Sequence, residues 1–284
     1  MTRPVRLLVA AGLTLALLVG GVALAVERLL LPDPDGEVLA FLLLGSDGGP
    51  PRGDQMLTAR ADGIQLLFVS GDRRHATFVS VPRDAYMPVP GRGSTRINAC
   101  LNRGPEVCVA TVEQEFGLDI DGYLVTSMDG FKSAVSDFGG LTVDVPPPVF
   151  DGGQSIPQAG LQTLTGSQAL VYGRDRKNRP GGDFARSQAQ AEMLAIGHAD
   201  VFEAGDVSSV LETVAIVRRH TVTDLSGTEL VRLGFETLHL PPDNVQRVLA
   251  EGSPTMIGGA SVVRLAPSAY EVIRDAAADG RVGG

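Results

Sequence analysis

Val38-Leu39-Ala40-Phe41-Leu42-Leu43-Leu44-Gly45-Ser46-Asp47 is the stretch from which the fold is read. Seven consecutive apolar residues, 38–44, end at a glycine, as a strand covered on both faces does. The serine and aspartate that follow place polar groups just past the carboxyl end of that strand. Open α/β sheets bind their ligands there. Asp47 alone is better read as capping the next turn.

Outward from this strand the pattern alternates. Residues 65–70 and 76–81 read as strands around a turn at Gly71-Asp72-Arg73-Arg74. Residues 106–116 read as a helix stopped by Gly117, 123–127 as a strand, 130–138 as a helix and 141–145 as a strand. A short helix or strand end covers 167–172, and helices are expected over 184–198, 207–217 and 225–238. A strand over 260–265 and a helix over 268–277 complete the chain. The fold class expected is α/β: a three-layer sandwich with a mixed central sheet flanked by helices, preceded by one N-terminal transmembrane helix.

That last expectation rests on residues 7–26, a twenty-residue run without charge, led by Arg3 and Arg6 and closed by Glu27 and Arg28. About 20 apolar residues span a bilayer core, and leading arginines keep the N-terminus inside. Ala23-Leu24-Ala25 also suits a cleavable signal peptide, though the run is long for one. The domain plan is a cytoplasmic tail (1–6), a membrane anchor (7–26), a linker (27–38) and an extracytoplasmic domain (39–284). In that oxidising compartment Cys100 and Cys108, with Gly104-Pro105 between them, can close a disulfide; metal binding is the weaker alternative.

The net charge of −9 argues against a nucleic-acid partner. Against that background, Arg174, Arg176, Lys177, Arg179 and Arg186 face only Asp175 and Asp183 in one short segment. Such a local excess suits a single anionic ligand. Asp183 reads as the N-cap of the helix that follows, with Arg186 and Gln190 four apart on one face near its positive end. Val79-Ser80-Val81-Pro82-Arg83-Asp84 delivers an Arg-Asp pair to a strand end, which alone would be a salt bridge. His75, His198, His220 and His239 show no ligand spacing, and a Gly-x-Ser-x-Gly elbow is missing.

Taken together the motifs resemble the LytR-CpsA-Psr family. The resemblance runs through Leu42-Leu43-Leu44-Gly45-Ser46-Asp47, Val79-Ser80-Val81-Pro82-Arg83-Asp84, Arg96-Ile97-Asn98-Ala99, Asp129-Gly130-Phe131-Lys132 and Gly139-Gly140-Leu141-Thr142-Val143-Asp144-Val145-Pro146. It continues in Leu164-Thr165-Gly166-Ser167-Gln168-Ala169-Leu170 and in Arg174-x-Arg176 with Gly182-Asp183-Phe184-x-Arg186-x-Gln188-x-Gln190. Gly49 stands where the family often has Arg, and Arg96 where it usually has Lys.

The resemblance implies a membrane-bound phosphotransferase that moves a glycopolymer from a polyprenyl-pyrophosphate carrier to peptidoglycan. It implies Mg2+ on Asp47 and a second aspartate, with Asp62 chosen and Asp54 in reserve. It implies catalytic Arg83, Arg174 and Arg176, and substrate contacts from Arg60, Arg96, Arg186 and Gln190. Asp84 is left between general base and ion-pair partner. A polyprenyl-pyrophosphate hydrolase and a non-catalytic lipid-pyrophosphate binder remain alternatives.

Overall fold

The computed structural model describes residues 36–50, 54–146, 149–151, 154–176 and 179–283. Its centre is β1 (Leu39–Ser46), paired antiparallel with β2 (Ala61–Val69) and parallel with β6 (Gly122–Ser127). β3 (Ala76–Ser80) extends the sheet antiparallel to β2, and β12 (Val245–Leu249) closes that side parallel to β3. The three-residue β11 (Thr221–Thr223) closes the other side antiparallel to β6. The sheet is therefore mixed, in the order β11-β6-β1-β2-β3-β12.

The apolar run of β1 serves two layers because successive side chains point to opposite faces. Ala40, Leu42 and Leu44 enter one core with Cys100, Leu101 and Val112. Helices α2 (Pro105–Phe116) and α8 (Pro267–Asp279) cover that face, α8 through Ala269 and Ile273. On the other face Phe41 packs with Val69, Ala76 and Leu240. There the sheet is covered by α3 (Met128–Asp137), α5 (Asp183–Ala204), α6 (Val207–His220) and α7 (Gly227–Glu236). The short α4 (Gly166–Arg174) lies between α3 and α5.

Local chemistry sets several boundaries. Ser127 accepts from Gly130 N at 3.0 Å and starts α3. Thr165 and Gln168 form a reciprocal capping box at α4, so 167–172 is helix and not a strand end. Asp206 caps α6, which runs on to His220, beyond the expected 217. The helix expected over 225–238 is α7, two residues shorter at each end and continued by a 3-10 turn, Thr237–His239. Gly104, at φ +106, breaks the chain between a 3-10 turn (Ile97–Arg103) and α2. That break brings Cys100 and Cys108 into a disulfide with Cα atoms 4.8 Å apart.

The main sheet is not the only one. β7 (Leu141–Val145) pairs with β10 (Gly160–Leu164), β13 (Gly252–Ile257) with β14 (Ala260–Leu265), and β4 (Tyr86–Val89) with β5 (Gly93–Arg96). The anchor expected over 7–26 lies outside the described residues. Among the described residues no helix is long and apolar enough to cross a membrane.

Candidate active site

A cavity of about 500 Å³ lies between the sheet and α3, α5 and α6. Its wall is apolar for most of its length, with Leu43, Leu124, Phe131, Leu141, Met193 and Val201 among the lining side chains. Its mouth is different in kind. Asp62, Arg83, Arg174, Arg176, Arg186 and Gln190 surround it, four guanidiniums against one lining carboxylate.

Asp62 reaches the mouth through an irregularity in the ladder. Gly45 opposes Gly63 and Ser46 opposes Ala61, so Asp62 is the extra residue of a bulge on β2. Its Oδ1 accepts from Arg83 Nη1 at 2.6 Å. Arg83 stands just past β3, where its backbone carbonyl accepts from Asn98 N at 3.0 Å. Burial pulls the Arg83 guanidinium down, but Asp62, Asp183 and Asp84 together outweigh it and the net shift is upward.

Asp183 does not cap α5. Gly182 holds the N-cap position, and Asp183 is the first helical residue. Its carboxylate instead stands between two arginines, 3.2 Å from Arg186 Nη2 and 3.7 Å from Arg83 Nε. Arg186 is 4% exposed, and burial, the largest influence, lowers its pKa. Among the described residues, Nε of Arg83 and Nε of Arg186 are both buried without a hydrogen-bond partner. Unsatisfied buried donors are costly in a folded protein, and an anionic oxygen would satisfy them. Gln190, one turn beyond Arg186, donates to Gly173 O at 3.1 Å and leaves its buried Oε1 unpartnered. Arg174 and Arg176 are exposed at the mouth. Arg174 is the last helical residue of α4, and Arg176 stands in the segment after it.

The remaining candidates sit further out. Asp47 and Arg60 form an exposed pair at 2.7 Å, reinforced by Arg60 N donating to Asp47 Oδ1 at 2.8 Å. The Asp47 hydrogen bond, then its charge, raises the Arg60 pKa. Neither is among the cavity-lining residues. Asp54 is exposed in the first turn of α1 (Asp54–Leu57). Arg96 turns away to Ser261 O at 2.9 Å and lies 3.6 Å from Asp84, which makes Asp84 an ion-pair partner.

Asp47 and Asp62 leave the neighbouring ends of β1 and β2. Among the described residues no three His, Cys, Asp or Glu side chains gather for a metal. Two carboxylates with phosphate oxygens beside them nevertheless fit the donor set of Mg2+, which takes one or two carboxylates and completes its shell with water and phosphate.

Sequence patterns gave no sign of three features. Asp183 links the two inner arginines. Gln65 accepts from Ser80 Oγ at 2.8 Å and donates to Ser187 O at 3.1 Å, fixing α5 to the sheet below the mouth. Arg179 lies 4.0 Å over the Tyr172 ring, while Tyr172 donates to Glu192 at 2.6 Å. A separate open, polar hollow of about 510 Å³ is lined by Gly36, Asp72 and Asp279 among others, and shares no residue with the candidate site.

The LytR_cpsA_psr family profile matches residues 30–279. The polyisoprenyl-teichoic acid–peptidoglycan teichoic acid transferase TagU of Oceanobacillus iheyensis is 31% identical over 204 residues, covering 69% of this chain and 62% of that protein. The corresponding TagT of Bacillus subtilis is 30% identical over 179 residues, 60% of this chain and 55% of that one. The chain thus spans less than two thirds of the length of these relatives. Among solved structures, Bacillus subtilis TagV superposes with a TM-score of 0.73 at 23% identity, over 85% of this chain and 96% of that one. Protein gbs0355 of Streptococcus agalactiae gives 0.74 at 21% identity, over 84% and 86%. With the profile matched across nearly all of the described residues and the fold shared, the chain belongs to the LytR_cpsA_psr family.

Proposed function

We propose that this protein is a phosphotransferase that moves a glycopolymer from a polyprenyl-pyrophosphate carrier to a peptidoglycan hydroxyl and releases polyprenyl phosphate. The observation that carries the reading is the junction of an apolar cavity of about 500 Å³ with four guanidiniums at its mouth. A polyprenyl pyrophosphate divides in the same way, hydrocarbon on one side and concentrated negative charge on the other. The relatives named as teichoic acid transferases support the polymer and the acceptor.

In the transfer, the acceptor hydroxyl oxygen attacks the phosphorus that bears the polymer. The bond from that phosphorus to the bridging oxygen breaks, polyprenyl phosphate leaves with the electron pair, and the hydroxyl proton passes to solvent. Arg83 and Arg186, with free buried Nε donors, bind pyrophosphate oxygens and meet the charge that builds there. Arg174 and Arg176 close over the same oxygens from α4, and Gln190 adds a neutral donor. Arg60 and Arg96, farther out, belong to the polymer side of the approach. Asp47 and Asp62 would hold Mg2+, which when bound neutralises pyrophosphate charge as a Lewis acid.

The same reading sets the protein in the cell membrane by a single pass over residues 7–26, with the catalytic domain outside. The uncharged run and its two leading arginines support this, as does the disulfide. The test uses the full chain in detergent with a short lipid-pyrophosphate sugar, peptidoglycan and Mg2+. The expected product is sugar phosphodiester-linked to peptidoglycan, lost on chelation. Sugar phosphate released into water with none attached would replace the transferase with a hydrolase.

A further inference from the structure

The face of α5 that lines the cavity is a single stripe: Gln190, Met193, Leu194, Gly197, His198 and Val201. The steps of three and four residues keep it on one side of the helix. At a rise of 1.5 Å per residue, Gly197 lies about 10 Å beyond Gln190 along the axis. Gly197 is thus deep in the hydrocarbon part of the cavity, away from the charged mouth.

A glycine in a helix interior is unfavourable relative to alanine, and one that persists usually answers to packing. Two other helical glycines on this cavity do so. A Cβ at Gly173 would come within 2.5 Å of Met193 Cε, and one at Gly234 within 2.9 Å of both Val210 and Val214. Gly197 does not. Among the described residues a Cβ there would meet only Leu141 Cδ2, at 3.9 Å, an ordinary contact. Its φ lies outside the left-handed region, so backbone geometry does not require glycine either. The protein's own packing leaves room for a side chain at this one point of the stripe.

We infer that Gly197 is a specificity-determining residue: it keeps the passage between α5 and Leu141 wide enough for a long isoprenoid chain to pass beyond the first isoprene units. The inference rests on the polyprenyl carrier of the proposed function and adds the position that sets which chain lengths fit. Short isoprenoids end before Gly197 and do not sense it. Long ones must lie against its bare backbone.

Equilibrium binding to the full chain in detergent tests this, with geranyl phosphate and a long-chain polyprenyl phosphate as probes. Wild type is expected to bind the long chain at least tenfold more tightly. Gly197→Phe, which fills the passage, is expected to lose that preference while binding geranyl phosphate within twofold of wild type. Retained geranyl binding also reports that the variant is folded. Gly197→Ala is expected to melt at a higher temperature than wild type and to lose only part of the long-chain preference. Undiminished preference in Gly197→Phe overturns the inference, and so does a wild type that does not favour the long chain. Loss of both probes by Gly197→Phe, with Gly197→Ala indistinguishable from wild type in both preference and melting temperature, also overturns it. If both probes bind as expected but no transfer is found in the assay above, the transferase reading fails and the role of Gly197 stands.

Discussion

Arg83 Nη1 lies 2.6 Å from Asp62 Oδ1, so the bulge residue of β2 and the residue just past β3 close one side of the mouth as an ion pair. Both side chains keep some contact with solvent, 17% and 22% exposed. Pairs so largely withdrawn from water gain little net stability, because desolvation offsets the attraction. Their value is to hold a carboxylate and a guanidinium where a phosphate must enter.

The first prediction follows directly. Asp62→Ala should lower transfer about 10²–10³-fold, because the cation and the Arg83 guanidinium that meet the transition-state charge lose the carboxylate that holds them. Unfolding free energy should fall by about 1–3 kcal/mol, the cost of leaving the mostly buried Arg83 Nη1 without its partner. Asp54→Ala should keep its rate. Steady-state transfer and denaturant unfolding of both variants decide it; the reverse order of effects would make Asp54 the second carboxylate.

A second prediction separates two neighbouring arginines. Arg176 is exposed at the mouth, so Arg176→Lys should lose turnover without lowering the melting temperature, because an ammonium cannot copy the planar two-pronged contact. Arg179 stacks 4.0 Å over Tyr172 with Nε 3.8 Å from Asp175. Arg179→Lys should therefore cost about 1 kcal/mol of stability and leave turnover within about twofold.

Reduction provides a third. The Cys100–Cys108 bond closes a short loop, and loop-closure entropy puts its contribution near 2.5 kcal/mol. Denaturant midpoints with and without reductant should differ accordingly. Activity should fall as well, because the 3-10 turn that carries Cys100 also donates Asn98 N to the Arg83 carbonyl. Unchanged midpoints would show that this turn is held by packing alone.

Acidification gives the fourth. Burial lowers the pKa of His198, against a hydrogen bond with Leu240 O at 2.9 Å. The unfolded chain then binds the proton more readily, so the stabilising contribution is complete above pH about 6.5 and is lost as pH falls toward the lower folded value. The slope is at most about 1.4 kcal/mol per pH unit. Melting curves from pH 8 to 5.5 should show a decline that His198→Gln flattens; parallel profiles would refute it.

How much of this was legible in the sequence depends on the period of each segment. β1 is readable because seven apolar residues in a row, ended by a glycine, are too few for a membrane span and suit a strand covered on both faces. Its Gly45-Ser46 end lines the cavity, while Asp47 lies outside that lining. β12 escaped notice because Gln246 and Arg247 interrupt a strand that lies at a sheet edge. β14 is the strand expected over 260–265, but its partner β13 and the hairpin strand β5 carry exposed, mixed residues, and β4 is four residues long and contains Pro88. Asp183 fits the N-cap preference, yet the adjacent Gly182 takes that position and two arginines claim the carboxylate. The arginines of the mouth were named from their motifs, while the bulge that turns Asp62 among them depends on pairing that no single segment reveals.

The two ends of the central sheet bear on how copies of this protein behave when crowded together. An open edge offers unpaired backbone groups on which another chain can build a strand. One end here is β11, only three residues long. At the other, the Gln246 side chain donates to Val282 O at 3.3 Å and accepts from Val282 N at 2.8 Å. This two-way amide clasp ties the C-terminal segment to the last strand of the sheet. Neither end presents a long, flat template, so fibrillar self-assembly of the folded protein finds no ready place to begin at these edges.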